Sequence, residues 1–204
     1  MINGISRQTL KRLPLYYEYL RGLSNREGYI SSAKIAIDLE LNPVLVRKDL
    51  AAAGASGKPK TGHEIESLIN MLEIFLGYRN IRGAMLVGAG KLGQALLDYQ
   101  GFQAYGIEIS LAFDKEESLW DDKRIFPLSK MEDLCRRMGI QIGVITVPAE
   151  HAQEVCDLMV KAGIKAIWNF APVNLKVNSD VYIYNENLSV SLLLLSNQIK
   201  EMDN

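Results

Sequence analysis

The sequence predicts an α/β chain in two unequal parts: a small helical unit carrying a basic hairpin, then a doubly wound parallel sheet. Three observations predict it. Helical periodicity fills the first third of the chain, short apolar strands alternate with amphipathic helices from Arg82 onward, and the first of those strands runs directly into a glycine-rich turn. A length of 204 residues exceeds one ordinary domain and suits one small unit beside a medium one.

From Ser6 to about Gly22, Leu10, Leu13, Tyr16, Tyr17 and Leu20 recur at spacings of three and four, which is one face of a helix. Pro14 is expected to kink or locally open it. Ser31 and Ser32 can cap a second helix, SAKIAIDLEL. A short turn at Leu41–Pro43 leads to a third, Pro43 to about Ala53, with proline in its first turn and Gly54 closing it. The following GASGKPKTGHEIESL is too punctuated for a helix and suits a hairpin. Three helices and a basic hairpin are the layout of a winged helix-turn-helix domain, here residues 1–79. Its last segment, with Ile65, Leu68, Ile69, Leu72 and Leu76 on one helical face, joins it to the rest.

Within residues 80–186, GAMLVG, ISLAFD, QIGVITVP, KAIWNFAP and DVYIYN read as strands, and KLGQALLDYQ, SKMEDLCRRMG and AEHAQEVCDLMVKAG as helices between them. Such alternation implies a parallel sheet with helices on both faces, a Rossmann architecture. Residues 187–204 form a final helix with Leu188, Val190 and Leu192 through Leu195, apolar over most of its circumference. A helix of that kind must be covered on more than one side, and in so small a chain insertion into a partner subunit covers it best.

Composition narrows the function. With 48% hydrophobic and 23% charged residues this is ordinary globular material, and no run of about 18 apolar residues could span a membrane. The first residues do not resemble a signal peptide. Cys135 and Cys156 lie outside any CxxC or Cys/His cluster, so neither a disulfide framework nor a metal site is indicated, and cytoplasmic residence is expected. Residues 1–63 hold ten Lys/Arg against five Asp/Glu, a net of +5, while residues 64–204 hold thirteen against nineteen, a net of −6. The basic end can face a polyanion that the acidic remainder would repel.

Gly88-Ala89-Gly90-Lys91-Leu92-Gly93 is a GxGxxG that follows an apolar strand and opens an amphipathic helix. Gly88 allows the tight turn, Gly90 keeps side-chain atoms away from a pyrophosphate, and Gly93 lets helix and strand approach closely. Twenty-one residues beyond Gly93, the second strand ends in Asp114, placed to accept hydrogen bonds from ribose hydroxyls and to repel a 2′-phosphate. The expected cofactor is therefore NAD(H) rather than its phosphorylated form. Thr146, Val147 and Pro148 end a later strand, and Asn169 and Phe170 end the next, both at the edge of the sheet where such ligands sit. A dehydrogenase would also need a proton donor or acceptor beside the nicotinamide. His63 falls in the hairpin, His151 in the first turn of a helix, and Lys91, Cys156 and Lys165 have no visible partner, so no catalytic residue is assigned and a sensor is expected rather than an enzyme. A winged-helix/Rossmann methyltransferase, or another nucleotide-dependent enzyme, stays open as the alternative; the former is the sharper case. Its glycine loop usually lacks the third glycine, and absorbance of the bound ligand would decide.

Val46-Arg47-Lys48-Asp49-Leu50, the glycine motif with Asp114, Thr146-Val147-Pro148, Asn169-Phe170-Ala171-Pro172 and Asn185-Glu186-Asn187-Leu188 together resemble the bacterial Rex family of redox-sensing repressors, from Ser6 to about Asn197. The resemblance implies a homodimer that exchanges its terminal helix, binds a palindromic double-stranded DNA operator when NAD⁺ predominates and leaves it when NADH rises. The third helix would enter the major groove, with Arg47 meeting bases and Lys48, Lys58 and Lys60 meeting phosphates. Two departures stand out. Relatives commonly carry an aromatic pair and a Gly-x-Gly wing where this chain has AAAGASGKPKTGH, which implies a different operator. They often carry Arg and an acid where this chain has Glu18 and Ser189, which implies weaker coupling between ligand and DNA.

Overall fold

The computed structural model describes residues 5–58, 61–121, 123–178 and 180–202. The chain divides into two compact units, Met1–Asn80 and Ile81–Asn204.

In the first unit, α1 (Arg7–Arg21) starts at Ser6, whose hydroxyl accepts the Thr9 N–H at 3.1 Å. The helix continues through Pro14 rather than opening there. Proline removes one rung of the hydrogen-bond ladder, but Leu13, Tyr16, Tyr17 and Leu20 on the same helix are buried, and that packing holds the backbone in register. Next come β1 (Tyr29–Ile30), α2 (Ser32–Asp38) capped by Ser31, and α3 (Pro43–Ala52). The Asn42 side chain caps α3, accepting the Val44 and Leu45 N–H groups at 2.9 and 3.3 Å. After the hairpin, β2 (His63–Glu64) pairs antiparallel with β1, and α4 (Ile65–Leu76) packs its Ile65, Leu68, Ile69 and Leu72 face against the core formed by α1, α2 and α3. The spacing of helices and the paired strands reproduce the winged helix expected from sequence.

The second unit begins with β3 (Arg82–Val87) and α5 (Lys91–Leu97), followed by β4 (Ile107–Asp114), β5 (Ile125–Pro127), α6 (Met131–Met138), β6 (Ile142–Ile145), α7 (Ala149–Lys161), β7 (Ala166–Asn169), β8 (Tyr182–Asn185) and α8 (Leu188–Met202). The six strands are parallel, in the order β5-β4-β3-β6-β7-β8. The chain winds outward from β3 in one direction and then, from β6, in the other. This is the Rossmann order, and its switch point lies between β3 and β6, where the carboxyl ends of the strands leave a crevice. One apolar cluster centres on Met85, Phe113, Ile145 and Met159 and another on Leu86, Ala112 and Val144, so β3, β4 and β6 send alternate side chains into each. Sequence reading missed β5, because three residues are too few to show a period.

Cys135 and Cys156 lie in the first of those clusters, and burial pushes both thiols up to about 11. On α8, Leu188, Val190, Leu192, Leu193, Leu195 and Ile199 are 46–70% exposed within the single chain. No helix among the described residues is long and apolar enough to cross a membrane.

Candidate dinucleotide and nucleic-acid sites

The glycine loop follows β3 at the switch point. Gly88 has φ +104°, and a Cβ there would sit 2.8 Å from the Thr146 carbonyl carbon. At Gly93 a Cβ would fall 1.9 Å from the Gly88 carbonyl oxygen, so α5 can lie this close to the loop only with glycine in its first turn. Gly90 differs from both: a Cβ added there would meet nothing within 4 Å. Its backbone faces open space, a cradle that a side chain would fill and that fits a pyrophosphate. Ala89 is buried, while Lys91 and Leu92 are exposed at the start of α5.

Three side chains hold this loop in place, and a fourth braces the neighbouring strand ends. Asp114, at the end of β4, accepts the Ala89 N–H at 2.6 Å through one carboxylate oxygen and the Glu116 N–H at 2.9 Å through the other. A carboxylate has about four acceptor positions, so capacity remains for a hydroxyl pair. Thr146 donates to the Gly88 carbonyl at 2.8 Å, with the Val87 carbonyl at 3.1 Å, which ties the end of β6 to the loop. Gln94 donates to the Ala89 carbonyl at 2.8 Å. At the end of β7 the fully buried Asn169 donates to the Ala171 and Val173 carbonyls and to Asn185 Oδ1, at 3.1, 2.9 and 2.9 Å, and accepts the Ala171 N–H. Its carboxamide is thus committed to holding β7, β8 and the intervening loop together. Sequence reading placed Thr146 and Asn169 at the right edge of the sheet but could not show that their polar atoms are engaged by the protein itself.

Val147 and Phe170 are half-buried at that same edge, and Pro148 is the residue from which α7 starts. Phe170 packs on Trp168, ring centroids 4.5 Å apart. His151, in the first turn of α7, lies 3.2 Å from the Lys115 Nζ, and both are exposed or nearly so. Among the described residues there is no group of three or more His, Cys, Asp or Glu able to hold a metal ion.

In the first unit, α3 turns Val46, Asp49, Leu50 and the adjoining Ala53 inward and leaves Val44, Arg47, Lys48, Ala51 and Ala52 outward. Arg47 and Lys48 make no ion pair with a described residue. Asp49 was not singled out by sequence reading, yet it fixes the helix: it accepts from Arg12 Nε at 2.7 Å, Arg12 Nη2 at 3.0 Å and the Tyr16 hydroxyl at 2.8 Å. Burial alone would raise the Asp49 pKa, but the donors from Arg12 and Tyr16 outweigh it and hold the carboxyl below its ordinary value. The same burial, with the Asp49 charge beside it, pushes the Tyr16 hydroxyl up to about 12. Periodicity could have found this, since Asp49 lies three residues past Val46 and four before Ala53. In the hairpin, Lys58 is exposed, 3.2 Å from the Tyr29 hydroxyl and 5.4 Å above its ring, and it bridges to Gly62 across the turn. Lys60 lies outside the described residues.

Two family models match: one described as a putative DNA-binding protein N-terminus over residues 4–51, and one described as a CoA binding domain over residues 80–173. The redox-sensing transcriptional repressor Rex of Treponema denticola is 38% identical over 192 residues, covering 92% of this chain and 91% of its own. That of Syntrophomonas wolfei is 42% identical over 198 residues, covering 94% of each. Among solved structures, RSP, a Rex-family repressor, in complex with β-NAD⁺ and operator DNA superposes with a TM-score of 0.90 at 34% identity, over 98% of this chain and 94% of that one. The same protein with β-NADH gives 0.86 over 98% and 96%. With this similarity spanning both units, the chain belongs to the Rex family of redox-sensing transcriptional repressors.

Proposed function

We propose that this chain represses transcription by binding a palindromic operator as a homodimer, in the presence of NAD⁺ or without ligand, and that NADH releases it. The observation that carries the reading is the open backbone at Gly90, between Gly88 and Gly93, where a Cβ has no room. RSP, which shares the fold, is seen with NAD⁺ and operator DNA and separately with NADH.

Gly88, Ala89, Gly90, Lys91, Leu92 and Gly93 would hold the pyrophosphate, and Asp114 the adenosine ribose. Thr146 and Asn169 would build the site rather than touch the ligand. Val147, Pro148 and Phe170 would surround the nicotinamide. The cofactor supplies a ring that is cationic when oxidised and neutral when reduced, and an apolar, water-poor surround penalises the cation through lost hydration, so NADH binds more tightly. Repression needs only that difference. No residue is assigned to proton transfer, and the protein acts as a sensor, not a catalyst, in the compartment that holds the DNA, the cytoplasm.

On the DNA side, Arg47 reads a base edge in the major groove, while Lys48, Lys58 and Lys60 meet phosphates. The exposed leucines of α8 are covered by the second subunit, whose symmetry matches two half-sites. Fluorescence anisotropy of a labelled palindromic duplex, titrated with protein and then with NAD⁺ or NADH, tests this. Release by NADH and retention with NAD⁺ are expected; equal affinity under both would overturn the sensing role.

A further inference from the structure

The outward stripe of α3 has a composition that charge alone does not explain. At roughly 100° per residue, Val44, Arg47, Lys48 and Ala51 fall within one narrow band, opposite the buried Val46, Asp49, Leu50 and Ala53. Two of the four are cations. The other two, Val44 and Ala51, offer only methyl groups. Val44 is 48% exposed in the first turn, and Asn42 holds its N–H at 2.9 Å, so its isopropyl group is displayed from a fixed backbone. A β-branched side chain there has few rotamers to lose on contact.

We propose that Val44 is a specificity-determining residue that reads the C5-methyl of a thymine in each operator half-site. This rests on the DNA-binding reading above and adds to it the base that α3 selects beside the one Arg47 reads. Major-groove edges offer hydrogen-bonding groups and one apolar feature, the thymine methyl, so an apolar residue between groove-facing cations has one partner of its own kind. The N-terminal residues of a recognition helix are those that reach base edges. Val44 precedes Arg47 by three residues, about 4.5 Å along the helix axis, against about 3.4 Å between stacked bases. The thymine therefore lies one or two base pairs from the base Arg47 contacts.

The experiment starts with selection of binding sites from a random duplex library by the full-length protein, followed by replacement of each thymine in the selected half-site with deoxyuridine. That change removes the methyl and keeps pairing and every hydrogen-bonding group. Wild type is expected to lose about fourfold in affinity at one thymine per half-site, the effect of one buried methyl. Val44→Ala should lose about as much on the parent duplex and be indifferent to deoxyuridine at that same position. Arg47→Ala should relax specificity at a base pair within two of it. Affinity for unrelated duplex should be equal for wild type and Val44→Ala, which shows that the variant is folded. Selected sites whose thymines all tolerate deoxyuridine, or a deoxyuridine penalty unchanged in Val44→Ala, would overturn the assignment to Val44. Selection that enriches no sequence would instead overturn the DNA-binding reading beneath it.

Discussion

In the N-terminal unit helix α3 is fixed by charge: Asp49, 4% exposed, receives three hydrogen bonds from Arg12 and Tyr16, with Arg12 itself 19% exposed. In the C-terminal unit the glycine loop is fixed by what is missing, since the 1.9 Å and 2.8 Å approaches at Gly93 and Gly88 leave no room for a Cβ. The difference is one of failure modes. A side-chain clamp can be weakened by removing a partner or changing its protonation, whereas a close backbone approach can be broken only by adding atoms.

The largest expected effect follows from the second kind of constraint. Gly93→Ala places a methyl against a backbone oxygen that cannot rotate away, and should destabilise the C-terminal unit by about 3 kcal/mol or more. Tryptophan fluorescence during urea unfolding reports this unit, because Trp120 and Trp168 both belong to it. A midpoint unchanged from wild type would refute the packing role of Gly93.

Asp49→Ala should cost the N-terminal unit roughly 3 kcal/mol, the price of leaving Arg12 and the buried Tyr16 hydroxyl without their acceptor. It should lower operator affinity without altering NADH affinity. The difference has a pH signature. A carboxyl whose pKa is depressed by folding contributes stability above its unfolded pKa and loses that contribution as pH falls through the folded value. Thermal melts of wild type and variant should therefore differ by a constant amount from pH 5 to 7 and converge below about pH 4. A gap that persisted into acid would show that the carboxylate charge is not what holds α3.

Gly90→Val tests the opposite corner of the comparison, the one glycine of the loop with open space around it. The variant should fold as wild type does and lose NADH affinity on the order of a hundredfold, because the branched side chain occupies the pyrophosphate position. Calorimetry showing unchanged NADH affinity would remove the loop from the site. Lys58→Ala gives the smallest effect: a uniform weakening across DNA sequences with a salt slope reduced by about one. A loss confined to one sequence would make Lys58 a base reader instead.

How much was legible in the sequence follows the same division. A backbone requirement writes itself as a residue type, so Gly88, Gly90 and Gly93 announced the loop, and short apolar segments alternating with helices announced β3, β4, β6, β7 and β8. The engagement of Asn169 with Asn185 was hidden, because strands sixteen residues apart become neighbours only when the sheet order is known. Asp49 was hidden differently: inside Arg47-Lys48-Asp49 it looks like one more solvated charge, and only its register with Val46 and Ala53 turns it inward. The continuous α1 shows packing overriding local preference at Pro14.

The two thiols set the kind of signal such a molecule can receive. Cys135 and Cys156 lie in the core, where burial disfavours the thiolate, the form that reacts with peroxides and disulfides. Neither thiol is therefore placed as a redox-reactive group. Under the function proposed above, the oxidative state of the cell would reach this protein as the balance between two forms of a diffusible nucleotide rather than through its own thiols.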